Sequence, residues 1–274
     1  MTEAAGAPAL DAARRFGGVR RLYGERGARA IADAHAVVIG VGGVGSWAAE
    51  ALARSGIGAL TLIDLDHVAE SNVNRQLHAL DATLGMAKVL AMRERVLAFH
   101  PGCRVEPVED FVGPDNWPQL LQAACARQGS QRALVVLDCC DQMAAKVTLA
   151  AWARASRVPF ITVGAAGGKR HAERVEIDDV AHATHDPLLA QLRQRLRRHH
   201  GAPRQGPIGV PAVFSREPVT VPAVAAACDA AVDGSLNCHG YGSSVAVTAT
   251  FGLCAAGWAL ERLASLADGI SPAL

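Results

Sequence analysis

Short apolar runs separated by amphipathic stretches organise the first two thirds of the chain. Val37-Val38-Ile39 runs straight into a glycine-rich turn, and Leu60-Thr61-Leu62-Ile63-Asp64, 104–108, 133–138 and 159–163 repeat the theme. Brief continuous apolar runs bounded by turn formers are what strands buried on both faces require. Between them the spacing predicts helices over 43–55, closed by Gly56, over 85–99, stopped ahead of Pro101, and over 117–126 and 144–156. A helical leader precedes the first strand, with Gly24 and Gly27 as expected breaks, and a polar crossover occupies 66–81. Strand and helix in alternation predict an α/β fold, a Rossmann-like, doubly wound and mostly parallel sheet.

After Gly168 the rhythm changes. A strand over 174–177, a very basic helix over 187–200, a Pro/Gly-rich loop over 201–211 and a strand over 212–215 follow. The expected organisation is a leader (1–33), a nucleotide-binding core (34–168) and an elaboration of the same domain (169–274) that supplies the substrate side and an interface. From 240 to 260 no residue is charged, long enough to cross a bilayer. Gly242, Gly252 and Gly257 along it argue for a buried packing or dimer-interface helix instead.

Composition narrows the function classes. Of 274 residues half are hydrophobic, and the formal net charge is +1, so contact with nucleic acid must come from a local patch. Seven cysteines form no CxxC…CxxC pair, which leaves no structural zinc site. The N-terminus lacks a secretory layout, so reduced thiols and a cytoplasmic location are expected, with peripheral membrane association left open.

The glycine turn satisfies G-x-G-x-x-G with Gly40, Gly42 and Gly45, and includes Gly43. Such a turn lets the backbone approach phosphate while the next helix offers free N–H groups. Asp64, about 20 residues on, ends the second strand where an acid takes ribose hydroxyls. The motif fits nicotinamide enzymes equally well. The crossover Asp64-Leu65-Asp66…Ser71-Asn72-Val73-Asn74-Arg75-Gln76, followed by Lys88, argues for a triphosphate instead. Attack at an α-phosphorus needs cationic side chains where charge develops. Arg75 offers a planar fork and Lys88 a mobile point charge. The fourth strand ends Asp138-Cys139-Cys140-Asp141, placing both acids toward the nucleotide. Asp141 is the better magnesium ligand, Asp138 could instead cap or orient neighbours, and the two cysteines read as packing.

These blocks, with Arg15-Phe16-Gly17-Gly18, Arg21-Leu22-Tyr23-Gly24, Ser46-Trp47, Asp141-x4-Lys146, Pro187-Leu188-Leu189-Ala190, Phe214-Ser215 and Val247-Thr248-Ala249-Thr250-Phe251-Gly252, resemble the tRNA threonylcarbamoyladenosine dehydratase family over most of the chain. That family is a branch of the adenylating enzymes that activate ubiquitin-like and sulfur-carrier proteins. The resemblance implies ATP-dependent cyclisation of threonylcarbamoyladenosine in the tRNA anticodon loop. The threonyl carboxylate attacks the α-phosphate, pyrophosphate leaves, and an internal atom closes the ring and expels AMP. It implies that Asp64 holds the ribose, that Asn72, Arg75 and Lys88 hold the triphosphate beside Asp66, that Gln76 supports Arg75 and that Asp141 holds Mg2+. It also implies a homodimer with an arginine crossing between subunits, here Arg21 ahead of Arg15 and Arg20, an association with a cysteine-desulfurase sulfur relay, and a candidate monovalent cation. The alternative substrate is the C-terminal carboxylate of a sulfur-carrier or ubiquitin-like protein. For tRNA the candidate contacts are Arg193, Arg197 and Arg198 on the basic helix, with Lys169-Arg170 and Arg204 nearby, and Cys238–Gly242 is a candidate substrate-side loop.

Overall fold

Buried apolar segments set the centre of the molecule. The computed structural model describes residues 11–129, 132–220 and 241–267; Cys238, His239 and Gly240 lie outside them. β1 (His35–Ile39), β2 (Ala59–Ile63) and β4 (Leu134–Asp138) are almost wholly buried. They pair in parallel with β3 (Arg104–Val108) and β5 (Phe160–Val163) in a sheet ordered β3-β2-β1-β4-β5-β7-β6. β7 (Pro211–Ser215) joins β5 in parallel, and β6 (Val175–Asp179) closes the edge antiparallel to β7. The order reverses between β1 and β4, so the carboxyl ends of those strands open the crevice where ligands bind in such sheets.

Helices cover both faces, as a parallel sheet with no polar face demands. After the short exposed α1 (Ala12–Arg15), the helices α2 (Gly17–Asp33), α3 (Gly45–Arg54), α4 (Lys88–Phe99) and the last helix, α8 (Val245–Ala267), bury one core around Ile31, Leu52, Leu60, Phe251 and Leu263. α5 (Trp117–Gln128), α6 (Met143–Ser156) and α7 (Pro187–His199) bury the other around Trp117, Leu149, Leu192 and Phe214.

Two expectations change, the break at Gly27 and the start of α4, while the kink at Gly24 and the inward packing of the C-terminal stretch agree with the sequence. Gly24 is a kink, with φ +70°, but Gly27 is no break. It sits buried within α2, where a Cβ would fall 3.2 Å from that of Ala264, so its missing side chain lets α2 close on α8. α4 starts at Lys88 rather than Gly85, because Gly85 takes φ +80° and the Lys88 N–H donates to the Asp66 carbonyl at 3.0 Å. The uncharged C-terminal stretch packs inward on α3: a Cβ on Gly252 would meet the Val44 carbonyl oxygen at 2.3 Å. Among the described residues no helix is long and apolar enough to cross a membrane.

Candidate active site

The glycine turn is shaped by contacts that no larger residue would permit. Gly40 has φ +81°, and a Cβ there would lie 2.8 Å from the backbone of Cys140. One on Gly45 would fall 1.8 Å from the Gly40 carbonyl oxygen. The first and third glycines therefore press the turn onto the end of β4 and let α3 begin at once. Gly43 is looser and serves as the seat of the Arg75 side chain, whose Cγ would be 3.1 Å from a Cβ. Asp64 clips this turn to β2: its Oδ2 accepts from the Val41 N–H at 2.6 Å and its Oδ1 from the Asp66 N–H at 2.9 Å. Burial raises the Asp64 carboxyl above its ordinary value, opposed by the Lys88 charge and these two N–H bonds.

The crossover is moulded against α3. The Trp47 indole N–H donates to the Arg75 carbonyl at 3.0 Å and the Leu77 N–H to the Ser46 hydroxyl at 3.3 Å. The Asn72 side chain is buried, its Oδ1 accepting from the Ala69 N–H at 3.0 Å. It caps its own turn and thereby fixes the start of the Asn-Val-Asn-Arg-Gln run. The Arg75 guanidinium donates from Nη1 to the Ser71 carbonyl (2.7 Å) and to Asn74 Oδ1 (3.0 Å). Gln76 is not its partner; the Gln76 amide is buried with an unsatisfied Oε1, and its Nε2 lies beside Gly42. Lys88 is not mobile either. Only 8% of its side chain is exposed, and its ammonium donates to Asp66 Oδ2 at 2.7 Å.

The two acids at the end of β4 separate. Asp138, expected to face the nucleotide, is fully buried and paired with the equally buried Lys146 at 3.0 Å. Lys146 also donates to Thr162 Oγ1 (3.2 Å) and to the Val163 carbonyl (2.7 Å), and the Thr162 hydroxyl donates to Asp138 Oδ2 at 2.6 Å. Burial is the largest influence on the Lys146 pKa and lowers it, but the Asp138 carboxylate and the neighbouring Cys140 and Cys139 together turn the net direction upward. Asp141 stands in the open cleft, and among the described residues its carboxylate has no hydrogen-bond or ion-pair partner. Burial pushes the Cys139 thiol up to about 12 and Cys140 well above its usual value, so both remain thiols rather than nucleophiles.

Asp64, Asp66, Asn72, Arg75, Gln76, Lys88 and Asp141 all line one cleft of about 360 Å3 with Gly40, Gly42 and Gly43, within the usual range for ligand sites. Leu65 and Phe111, both exposed by more than half, stand at its mouth. Its far wall is Gly164–Gly167, which residue patterning did not single out. Asp186 builds that wall. Its Oδ1 accepts from the Leu189 N–H and its Oδ2 from the Ala165 N–H, both at 2.9 Å, and a Cβ on Gly164 would fall 2.1 Å from Oδ2. The Asp-Pro pair marks a helix start, but the reach to Ala165 is invisible in local sequence. Thr248 of α8 also lines the cleft and was missed for the same reason.

Magnesium suits these donors. It binds through one or two carboxylates plus phosphate oxygens, and Asp141 supplies an unpaired carboxylate opposite Arg75 and Lys88. No cluster of three or more metal-ligating side chains occurs among the described residues.

Outside the cleft, Arg21 is exposed on α2 and does not line the site. Arg193, Arg197 and Arg198 stand on the outer side of α7. Lys169 does not join them. It is buried, and its ammonium donates to the carbonyls of His185 (2.8 Å), Ser215 (3.3 Å) and Glu217. Burial lowers its pKa, partly offset by Asp186 and Glu217. A group so enclosed ties β7 to the loop after β5 and cannot meet tRNA.

Residues 17–270 match the model of the ThiF family. The chain is 43% identical to the tRNA threonylcarbamoyladenosine dehydratase of Escherichia coli (strain K12), covering 91% of this chain and 93% of that protein. It is 38% identical to the enzyme of the same name from Haemophilus influenzae, with the same coverage. The crystal structure of the E. coli tRNA N6-threonylcarbamoyladenosine dehydratase in complex with ATP superimposes with a TM-score of 0.82 at 41% identity, covering 95% of this chain and 98% of that one. With the glycine turn, the Asn-Val-Asn-Arg-Gln run, Lys88 and Asp141 gathered in one cleft, the chain belongs to the ThiF family, in its tRNA threonylcarbamoyladenosine dehydratase branch.

Proposed function

We propose that this protein uses ATP to activate the carboxylate of threonylcarbamoyladenosine in tRNA and so drives its dehydration to the cyclic form. The observation that carries the reading is the convergence of Arg75, Lys88 and Asp141, from three separate segments, on the cleft formed by the glycine turn. The turn and the start of α3 hold phosphate by backbone N–H groups, and Asp64 faces the ribose. Arg75 and Lys88 neutralise the charge that grows on the α-phosphate as the threonyl carboxylate attacks and pyrophosphate departs. Lys88 then exchanges the exposed Asp66 carboxylate for phosphate. Asp141 would hold Mg2+, which would supply positive charge to offset that of the phosphates. Ring closure expels AMP and is intramolecular, so it needs proximity and no enzyme nucleophile, consistent with the two cysteines staying protonated. The protein acts in the cytoplasm as a homodimer, a reading supported by the exposed apolar side chains Leu253 and Leu266 along α8.

The test is mass spectrometry of nucleosides from modified tRNA incubated with protein and ATP. Conversion to a product lighter by one water is expected, together with AMP release. Arg75→Ala and Lys88→Ala should each retain the fold by circular dichroism and lower AMP release on the order of 100-fold. Pyrophosphate exchange driven by a carrier protein and not by modified tRNA would sink the reading.

A further inference from the structure

The outer side of α7 carries charge that the adenylating cleft does not use. Arg193, Arg197 and Arg198, with Arg204 from the following loop, line a hollow of about 540 Å3 whose other two walls are Ala190 and Gln194. No acid lines it. A second hollow of about 480 Å3 shares Ala190 and Arg193 with the first, and has apolar walls at Ala183, Pro187, Pro218 and Val219. The two therefore run on from one another along the helix.

Their position relates them to the site. α7 begins at the cleft wall, where Leu188 lines the cleft and Asp186 holds the Ala165 N–H. About 7.5 Å of helix rise separates Leu188 from Arg193, and about 15 Å separates it from Arg198. Along the helix axis the apolar hollow, which Asp186 and Pro187 line at the start of α7, comes before the arginines.

The arginines are also braced. Arg193 donates through Nη1 to the carbonyls of Val180 (3.1 Å) and Ala183 (2.8 Å), and Arg197 through Nε to that of Pro203 (3.1 Å). The buried Asp179 pins the far end of the loop, accepting from the N–H groups of Ile208 (2.9 Å), Gly209 (2.6 Å) and Val210 (3.1 Å). Arg154 ties His200 (2.8 Å) and Ile208 (3.2 Å) to α6. Desolvation and, after it, the neighbouring Arg197 charge lower the Arg193 pKa, opposed by Asp186. Arginines held this way lose little freedom on binding, and a polyanion relieves their repulsion.

The geometry points to a single-stranded RNA track: the four arginines take backbone phosphates of the tRNA strand leaving the cleft, and the apolar hollow takes the base next to the modified adenosine. Phosphodiesters suit the planar forks of a row of braced arginines. Splayed bases are how proteins read RNA loops. This assignment rests on the tRNA reading of the cleft.

An anticodon stem-loop carrying the modified adenosine, followed by fluorescence anisotropy across a salt series, tests it. The probe variant is Arg197→Ala/Arg198→Ala/Arg204→Ala, with ATP affinity measured separately by calorimetry. Binding at least tenfold weaker, a plot of log K against log salt flattened by about 2, and unchanged ATP affinity are expected. Replacing the flanking nucleotide by an abasic one, on one side only, should weaken wild-type binding several-fold without altering the salt slope. Wild-type affinity and slope in the triple variant would overturn the track while leaving the cleft reading intact. Equal affinity for both abasic loops would overturn the base site. A wild-type protein that binds the stem-loop through these arginines yet never converts it would uphold the track and sink the proposed reaction instead.

Discussion

Lys146 is an ammonium group cut off from water, and three partners account for it. The Asp138 carboxylate, the Thr162 hydroxyl and the Val163 carbonyl fill its donor positions within 3.2 Å. The other Asp138 oxygen takes the Cys140 N–H at 3.3 Å. One buried pair thus sets where β4 and β5 end, and so where Asp141 and Gly164–Gly167 face each other. Removing one member of a buried pair strands the other charge. Lys146→Met should therefore destabilise the protein by about 3–5 kcal/mol in urea denaturation. Lys146→Met/Asp138→Asn removes both charges and should recover at least half of that loss. Equal losses in the single and double variants would show that packing, not charge, dominates this spot. Strand-end reasoning saw the acid but not its burial, because the side chain's direction depends on a lysine eight positions on and a threonine on the next strand.

At the level of elements, the glycine turn separates glycines required by geometry from one required by function. Gly45→Ala would drive a Cβ into a backbone carbonyl at 1.8 Å, and backbone cannot yield as a side chain can. It should lower stability by about 1–3 kcal/mol and abolish the rise in melting temperature caused by ATP. Gly43→Ala meets the flexible Arg75 side chain first, at 3.1 Å, and Thr248 at an ordinary contact distance of 3.5 Å. It should melt close to wild type but show a smaller ATP-induced shift; an equal loss of melting temperature in the two variants would refute the distinction. The elements most legible in the sequence were those that local pattern dictates. The apolar runs that became β1, β2, β4 and β5, and the turn between β1 and α3, follow from side chains within a few residues of each other. The burial of Lys169, the inward face of Gly27 and the Asp186 brace involve partners from 16 to 237 positions away. No periodicity encodes such contacts. The basic helix shows both sides of this. Its charge was plain from composition, whereas the addition of Arg204 to its arginines needed the following loop to fold back beside it.

For the whole molecule, the decisive question is whether one chain holds a complete site. Arg15 donates to the Phe99 carbonyl and Arg20 pairs with the exposed Glu25 at 3.4 Å, both within their own chain. Arg21 is exposed, lies outside the cleft and has no hydrogen-bond or ion-pair partner among the described residues. Of the three it is the one free to reach another subunit, and the proposed homodimer gives it a phosphate to reach. Closed two-fold symmetry makes this measurable. Arg21→Ala and Arg75→Ala should each be inactive alone. After subunit exchange, half of the dimers are mixed, and each mixed dimer holds one site with its own Arg75 and its partner's Arg21. About a quarter of wild-type AMP release should therefore return on mixing. If Arg21 instead served its own chain, every site in the mixed dimers would lack one arginine and the mixture would stay silent. Activity that returns only on mixing would mean that the cleft seen in one chain is completed by the face of another.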